Sequence, residues 1–478
     1  MNYRVVLHTL GWVVGFEAVC MVLPLICSLL YHEPLIYVYL ISIGLCLLAS
    51  ALLLSVRVRR KSMYAKEGFA IVALSWIVIS IFGAVPFFVS GCIPNFANAL
   101  FETASGFTTT GASVLSDVES VAKSLLFWRS FTHWIGGMGV LVFLVAVLPL
   151  AGGSNFYLIK AESPGPSVNK LVPKVGSTAK ILYGIYIAFT AVQVVMLLFG
   201  GLSLFEALTL SFGTAGTGGF AIKNSSIAEY SPYVQNVITV FMIIFGVDFS
   251  LYYLFLMKRF RLALRSEEFR AYLGIIFVSA ALICFNCRGL FPTIAQAVRH
   301  SMFQVASIIT TTGYATCDFD KWPQFSKTIL LALMFVGACA GSTGGGMKVS
   351  RIIIFLKSIV KEVKIAASPK STHRIMMNKR PVEHETVRAI NVFMMSYLAI
   401  FAASILIISA DNLDFTTNFT AVATALNNVG PGFAEVGPTK NFSGYSDLST
   451  LVLTFDMIAG RLEIFPMLIL FSPYTWKR

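Results

Sequence analysis

A series of apolar runs, each long enough to cross a bilayer, constrains this chain more than any other feature. Residues 5–30, 35–56, 69–90 and 451–471 hold few charges, and a hydrocarbon core ~30 Å thick is crossed by about 20 residues of helix. Hydrophobic residues make up 56% of the 478 and charged residues 12%, which leaves too little polar surface for a soluble protein of this size. The fold class is therefore an all-α polytopic membrane protein. The first run is too long for a cleavable leader, carries Glu17, and ends without a small-residue cleavage site.

A net charge of +13 invites a nucleic-acid reading, but the basic residues sit in short loops between the apolar runs. Arg57-Val58-Arg59-Arg60-Lys61, Lys258-Arg259-Phe260-Arg261 and the stretch Lys348–Arg388 hold much of the charge. Basic loops between spanning helices face the cytoplasm, so the expected partner is a lipid bilayer and not nucleic acid. Acidic residues collect on the opposite side, among them Asp117, Glu119, Asp318 and Asp447. Both termini are then expected in the cytoplasm, with ten full crossings. The eight Cys lie mostly in apolar runs, and Cys284 with Cys287 forms a lone pair that makes no metal site.

An N-terminal hairpin (1–60) precedes a pattern that recurs four times, in segments 61–155, 156–262, 263–365 and 366–478. Each has a spanning helix, a short semi-polar helix, a Gly-containing turn and a second spanning helix. The short helices are expected at 97–107, 203–214, 294–309 and 416–427. The turns contain Thr109-Thr110-Gly111, Gly216-Thr217-Gly218, Thr311-Thr312-Gly313 and Asn428-Val429-Gly430. Irregular backbone at membrane depth survives only where protein buries it or where it lines a wet cavity. Gly permits the positive φ that can turn carbonyls toward one axis, and rings of carbonyls replace the water shell of a dehydrated cation. These twelve residues are the candidate selectivity filter. The cation is cargo, and no organic cofactor is implied.

The chain resembles the TrkH/TrkG branch of the Trk/Ktr/HKT superfamily of K⁺ transporters. The match rests on residues 105–112 (Ser-Gly-Phe-Thr-Thr-Thr-Gly-Ala), Trp134-Ile135-Gly136-Gly137-Met138-Gly139, Thr217-Gly218-Gly219-Phe220, residues 341–348 (Gly-Ser-Thr-Gly-Gly-Gly-Met-Lys), and Gly460-Arg461-Leu462-Glu463. The resemblance implies four membrane–pore–membrane repeats in a pseudo-fourfold arrangement. It further implies a homodimer with one pore per subunit, a cytosolic TrkA-like nucleotide-binding regulatory subunit, and residence in the inner membrane. It gives Gly341, Gly344, Gly345 and Gly346 the role of a gating loop, with Arg461 beside it. Asp248 stands where the family usually has Asn.

Three consecutive Gly should break a helix and leave mobile backbone, while close helix packing through small residues is the plainer alternative. Arg461, mid-helix, should face the bundle interior, with Glu463 or Asp456 as a structural ion partner if not the loop. Arg129 and His133 read as structural anchors. Glu102 and Glu206 suit the N-termini of the short helices. The expected function is K⁺ uptake; a Na⁺-permeable pore and an ion-coupled secondary transporter are the rivals. Without an HExxH motif or a His constellation, the chain is not read as an enzyme.

Overall fold

The computed structural model describes residues 1–58, 64–139, 175–369 and 373–476. Arg59, Arg60 and Lys61, the far part of the first repeat beyond residue 139, its boundary at 155, and residues 370–372 of the basic stretch lie outside the described residues. Among them the regular structure is helical except for a ribbon pairing Met376–Met377 with Arg380–Pro381. Asn378 and Lys379 turn it at φ of 50° and 63°, the doubly left-handed turn that suits hairpin twist. A two-residue strand shows no alternation, so the sequence pattern passed over it.

The N-terminal hairpin packs Tyr3–Cys20 and Val22–Leu30, jogged at Met21, beside Ile36–Leu54. Small residues draw the helices together, with the Ser50 hydroxyl donating to the Gly11 carbonyl at 2.8 Å. Such close approach is how helices associate where lipid removes any hydrophobic drive between them.

Each repeat opens on a long helix: Ala65–Val89, Val175–Phe199, Glu267–Cys287 and His384–Ile408. A short pore helix follows: Phe96–Phe107, Leu204–Ala215, Ile294–Ile309 and Phe415–Asn427. Side-chain caps set their starts. Asn95, Ser203, Thr293 and Asp414 each accept from a first-turn amide, and Ser203 with Glu206 completes a reciprocal box. The longest has 16 residues, a rise of ~24 Å, short of a crossing.

The second helices are Lys123–Gly137, Pro232–Phe245, Gln324–Val336 and Asp447–Arg461. Here the structure corrects the expectation of unbroken spans in the second and fourth repeats, while the break expected at the glycines of the third is present. Six helices among the described residues are long and apolar enough to cross, or seven counting one bent pair; the second helices of repeats 2, 3 and 4 break part-way, and the continuation of the first lies outside the described residues. In the second repeat the chain turns by 91° before resuming at Phe249–Leu256, and Asp248 caps the new helix through Ser250 N at 2.8 Å. The third breaks at 337–348 before Val349–Ala367. The fourth breaks at Leu462-Glu463-Ile464 before Phe465–Phe471. Two of these helices are pressed against their own pore helix: a Cβ on Gly136 would collide with the Phe107 carbonyl, and one on Gly460 with that of Leu426.

The apolar packing forms three main clusters. One joins the hairpin to repeats 1 and 4, and the others centre on repeats 3 and 2.

Candidate functional site

All four pore helices end in the same way. Thr109 N donates to Gly106 O and Thr110 N to Ser105 O at 3.1 and 2.9 Å. The pairs Thr217/Thr214 and Gly218/Gly213, Thr311/Ile308 and Thr312/Ser307, and Asn428/Ala425 and Val429/Thr424 repeat the pattern. This is the Schellman arrangement, which needs a left-handed residue at its corner, usually Gly or Asn. The corners here are Thr109, Thr217, Thr311 and Asn428, at φ of 57°, 55°, 57° and 55°. A β-branched residue in that region is an outlier costing ~1–3 kcal/mol, and such strain gathers at functional sites.

Two residues further on, each turn has a second left-handed residue: Gly111, Gly219, Gly313 and Gly430 at φ of 81°, 76°, 83° and 100°. This corrects the register of the second turn. Gly219 is the counterpart of Gly111, so Gly218 corresponds to Thr110, and the segment 216–218 shifts one residue to 217–219.

The four turns touch in a closed circle. A Cβ on Gly111 would strike the carbonyl oxygen of Gly218, one on Gly219 that of Thr312, and one on Gly313 that of Val429. On Gly430 it would lie 2.7 Å from that of Thr110. The carbonyls of Thr110, Gly218, Thr312 and Val429 thus form a ring in which every repeat abuts the next. All the threonines and asparagines of the turns are buried.

The interfaces of this ring differ in chemistry. Between repeats 1 and 2, His133 Nε2 accepts from Phe220 N at 3.2 Å, which makes Nδ1 the donor to Gly106 O at 2.7 Å. Glu102 lies in the middle of the first pore helix and not at its start, a correction to its expected capping role. It pairs with Arg129 at 2.6 Å. Between repeats 2 and 3 the Tyr314 hydroxyl reaches Leu210 O and Phe220 O at 3.2 and 3.3 Å. Asp320 accepts from Ala434 N between repeats 3 and 4, and Asn428 Nδ2 donates to Thr110 Oγ1 at 3.0 Å between 4 and 1.

The break of the third repeat lies against the inner ends of the pore helices. Gly345 N donates to Thr311 Oγ1 at 2.6 Å. A Cβ on Gly344 would meet Thr310 O at 2.9 Å, and one on Gly345 would meet Asn427 O at 2.5 Å. These glycines therefore serve close approach, and the expectation of loose backbone is corrected: the loop is pinned. Gly341 and Gly346 supply φ of 77° and 75°. Arg461 donates to Thr343 O at 2.7 Å, to Thr109 Oγ1 at 3.1 Å and to Gly137 O at 2.8 Å. The alternative ion partners are engaged elsewhere, Glu463 with Arg351 and Asp456 with the Ser404 hydroxyl.

Sequence reasoning missed two holders of the loop. Lys348 bends back at φ 75° and donates to Gly344 O. Glu268 Oε1 accepts from Ala340 N at 2.7 Å and Ser350 N at 3.0 Å, tying the two ends of the break together. In the sequence Glu268 looks like any first-turn acid on a helix, so no local signal marked it.

Comparison with known proteins agrees with this geometry. The family model TrkH, described as a cation transport protein, matches residues 37–285 and 290–477. The Trk system potassium uptake protein TrkH of Escherichia coli (strain K12) is 34% identical, with 100% of both chains covered. TrkG of the same strain is 32% identical over 100% of this chain and 99% of its own. The crystal structure of the potassium transporter TrkH from Vibrio parahaemolyticus superposes with a TM-score of 0.89 at 31% identity, covering 100% of each chain. By family match, full-length identity and fold together, the chain belongs to the TrkH family of cation transport proteins.

Proposed function

We propose that this multi-pass membrane protein mediates K⁺ uptake through a filter made by its four turns, covered on the inner side by the loop at 337–348. The observation that carries the reading is the closed circle in which each turn's glycine abuts the next turn's carbonyl. A dehydrated monovalent cation needs several oxygen ligands at once, and the oxygens of Thr110, Gly218, Thr312 and Val429 come from four repeats to one ring. The pore helices add the negative ends of their dipoles at the same point. The turns at Thr109–Gly111, 217–219, Thr311–Gly313 and Asn428–Gly430 are accordingly assigned as the filter.

The loop is assigned as the gate. In the arrangement described, two cationic side chains donate to consecutive loop carbonyls, Arg461 to Thr343 and Lys348 to Gly344. Positive charge beneath a cation filter opposes permeation. Opening then requires moving the stretch that contains Gly341, Gly344, Gly345 and Gly346 away from Thr311 and Arg461. The basic cytoplasmic loops are assigned as the docking face of a nucleotide-binding regulatory subunit, the TrkA-like partner that the family resemblance implies. Two such chains form the homodimer, both termini face the cytoplasm, and the plasma membrane is the site of action.

Flux of radioactive Rb⁺ into liposomes holding the purified protein tests the reading. Uptake that unlabelled K⁺ competes away, and Na⁺ competes away weakly, is expected. Flux no greater than that of empty liposomes would refute conduction, and equal competition by Na⁺ would favour the Na⁺-permeable rival.

A further inference from the structure

One fully buried ion pair stands behind the filter, and nothing in the permeation reading uses it. Glu102 and Arg129 are 1% and 3% exposed. Two charges withdrawn from water carry a large desolvation cost, offset only when hydrogen bonds satisfy the remaining valences. Here they are satisfied by the filter's own backbone. Glu102 Oε2 accepts from Val114 N at 2.9 Å and Oε1 from the Ser113 hydroxyl at 3.0 Å. Both donors lie on the segment leaving the Gly111 turn. Arg129 donates to Ala221 O at 3.0 Å, on the segment leaving the Gly219 turn, and its guanidinium lies 3.4 Å from the centre of the Phe220 ring. The pair therefore links the exits of the first two turns through a charged bridge.

His133, one helical turn from Arg129, completes the bridge on the inner side. Its ring ties Gly106 O to Phe220 N, and a Cβ on Gly218 would collide with the imidazole. Gly218 contributes one of the four ring carbonyls. The spacing between the Thr110 and Gly218 oxygens is thus set from behind by Glu102, Arg129 and His133. The other repeats lack this device. Counting back from each left-handed corner as Glu102 stands from Thr109, the matching positions hold Leu210, Gln304 and Ala421.

We propose that Glu102 and Arg129 are positioning residues for ion selectivity: the pair fixes the distance across the first and second turns, and so the size of the cation the ring accepts. The proposal rests on the filter reading above. Selectivity between K⁺ and Na⁺ depends on the geometry and field strength of the carbonyls, so loosening one side of the ring should admit the smaller ion. Charge-assisted hydrogen bonds are about twice as strong as neutral ones. Neutralising the carboxylate in Glu102→Gln keeps its shape and weakens its hold on Ser113 and Val114.

The test is the bi-ionic reversal potential of purified full-length protein in K⁺/Na⁺ liposomes, beside its thermal melt and elution profile. For Glu102→Gln the permeability ratio should fall about tenfold, equivalent to ~1.4 kcal/mol, of the order of one hydrogen bond. Arg129→Lys, which keeps the charge but loses the planar fork, should fall similarly. Ser113→Ala removes one donor to Glu102 and leaves the ion pair intact, so it keeps the test alive if the charge variants do not fold; its ratio should fall by a smaller factor. Folded Glu102→Gln and Arg129→Lys with wild-type ratios, or a folded Ser113→Ala with a wild-type ratio where those two do not fold, would overturn the proposal. Wild-type protein that fails to distinguish K⁺ from Na⁺ would instead overturn the filter reading.

Discussion

The four turns above and the three described helix breaks below make an instructive contrast. Each turn has its left-handed residues in the same two places, the same terminal hydrogen bonds, and the same abutment on its neighbour. The breaks share nothing but their position after a short second helix. One is a right-angled bend capped by Asp248, one a pair of left-handed residues at Glu463 and Ile464, and one a long loop rich in glycine. A ring that grips one ion demands equal contributions from four sides, whereas a cover needs to come from only one. Under the proposed function, symmetry in this chain marks where the ion is held, and asymmetry where access is controlled.

The sharpest way to break that contrast is to disturb the symmetric tier. Gly111→Ser or Gly313→Ser adds a Cβ where φ is left-handed and the next repeat's carbonyl is already in contact. K⁺ over Na⁺ permeability should fall on the order of tenfold to a hundredfold, what ~1–3 kcal/mol of backbone strain delivers. Bi-ionic reversal potentials read it directly, and two folded variants with unchanged potentials would remove the turns from the pathway.

The asymmetric tier should respond with more flux. Arg461→Ala withdraws a cation and the donor to Thr343 O. Regulator-free Rb⁺ flux should rise severalfold, with elution profiles checked because the loop carbonyl of Thr343 loses a partner at ~1–3 kcal/mol. A folded variant with wild-type basal flux would end the gating role of this contact.

Thr311 belongs to both tiers, and its variant should give the smallest effect. Thr311→Val keeps the β-branched shape at the corner and removes the acceptor for Gly345 N. One net hydrogen bond of about 1 kcal/mol predicts a rise in basal Rb⁺ flux smaller than that of Arg461→Ala. A larger rise would mean that the corner threonine, and not Arg461, is the main latch.

Much of this was legible in the residues. The pore helices fall within a residue or so of expectation because each is a semi-polar, helix-length segment too short to cross that runs into a Gly-containing turn. The second turn was misjudged by one place because Gly216, Gly218 and Gly219 offer three candidates for a left-handed residue. Contact with Thr312, almost a hundred residues away in the chain, decides among them. The break of the third repeat was legible in its glycines, but those of the second and fourth were hidden because apolar composition continues through them; Phe245-Gly246-Val247 reads as membrane helix on either side of a right-angled bend. Glu102 was misread for a related reason. Its partner Arg129 lies on another helix, and only the folded ring shows that the segments between them need holding.

The circle of contacts also has a sense of direction. Each glycine leans on the carbonyl of the repeat that follows it, and the last leans on the first. Damage in one repeat is therefore passed to its successor before it reaches its predecessor. Paired lesions in this chain should not be interchangeable: two in consecutive repeats share one contact, while two in opposite repeats spoil separate ones.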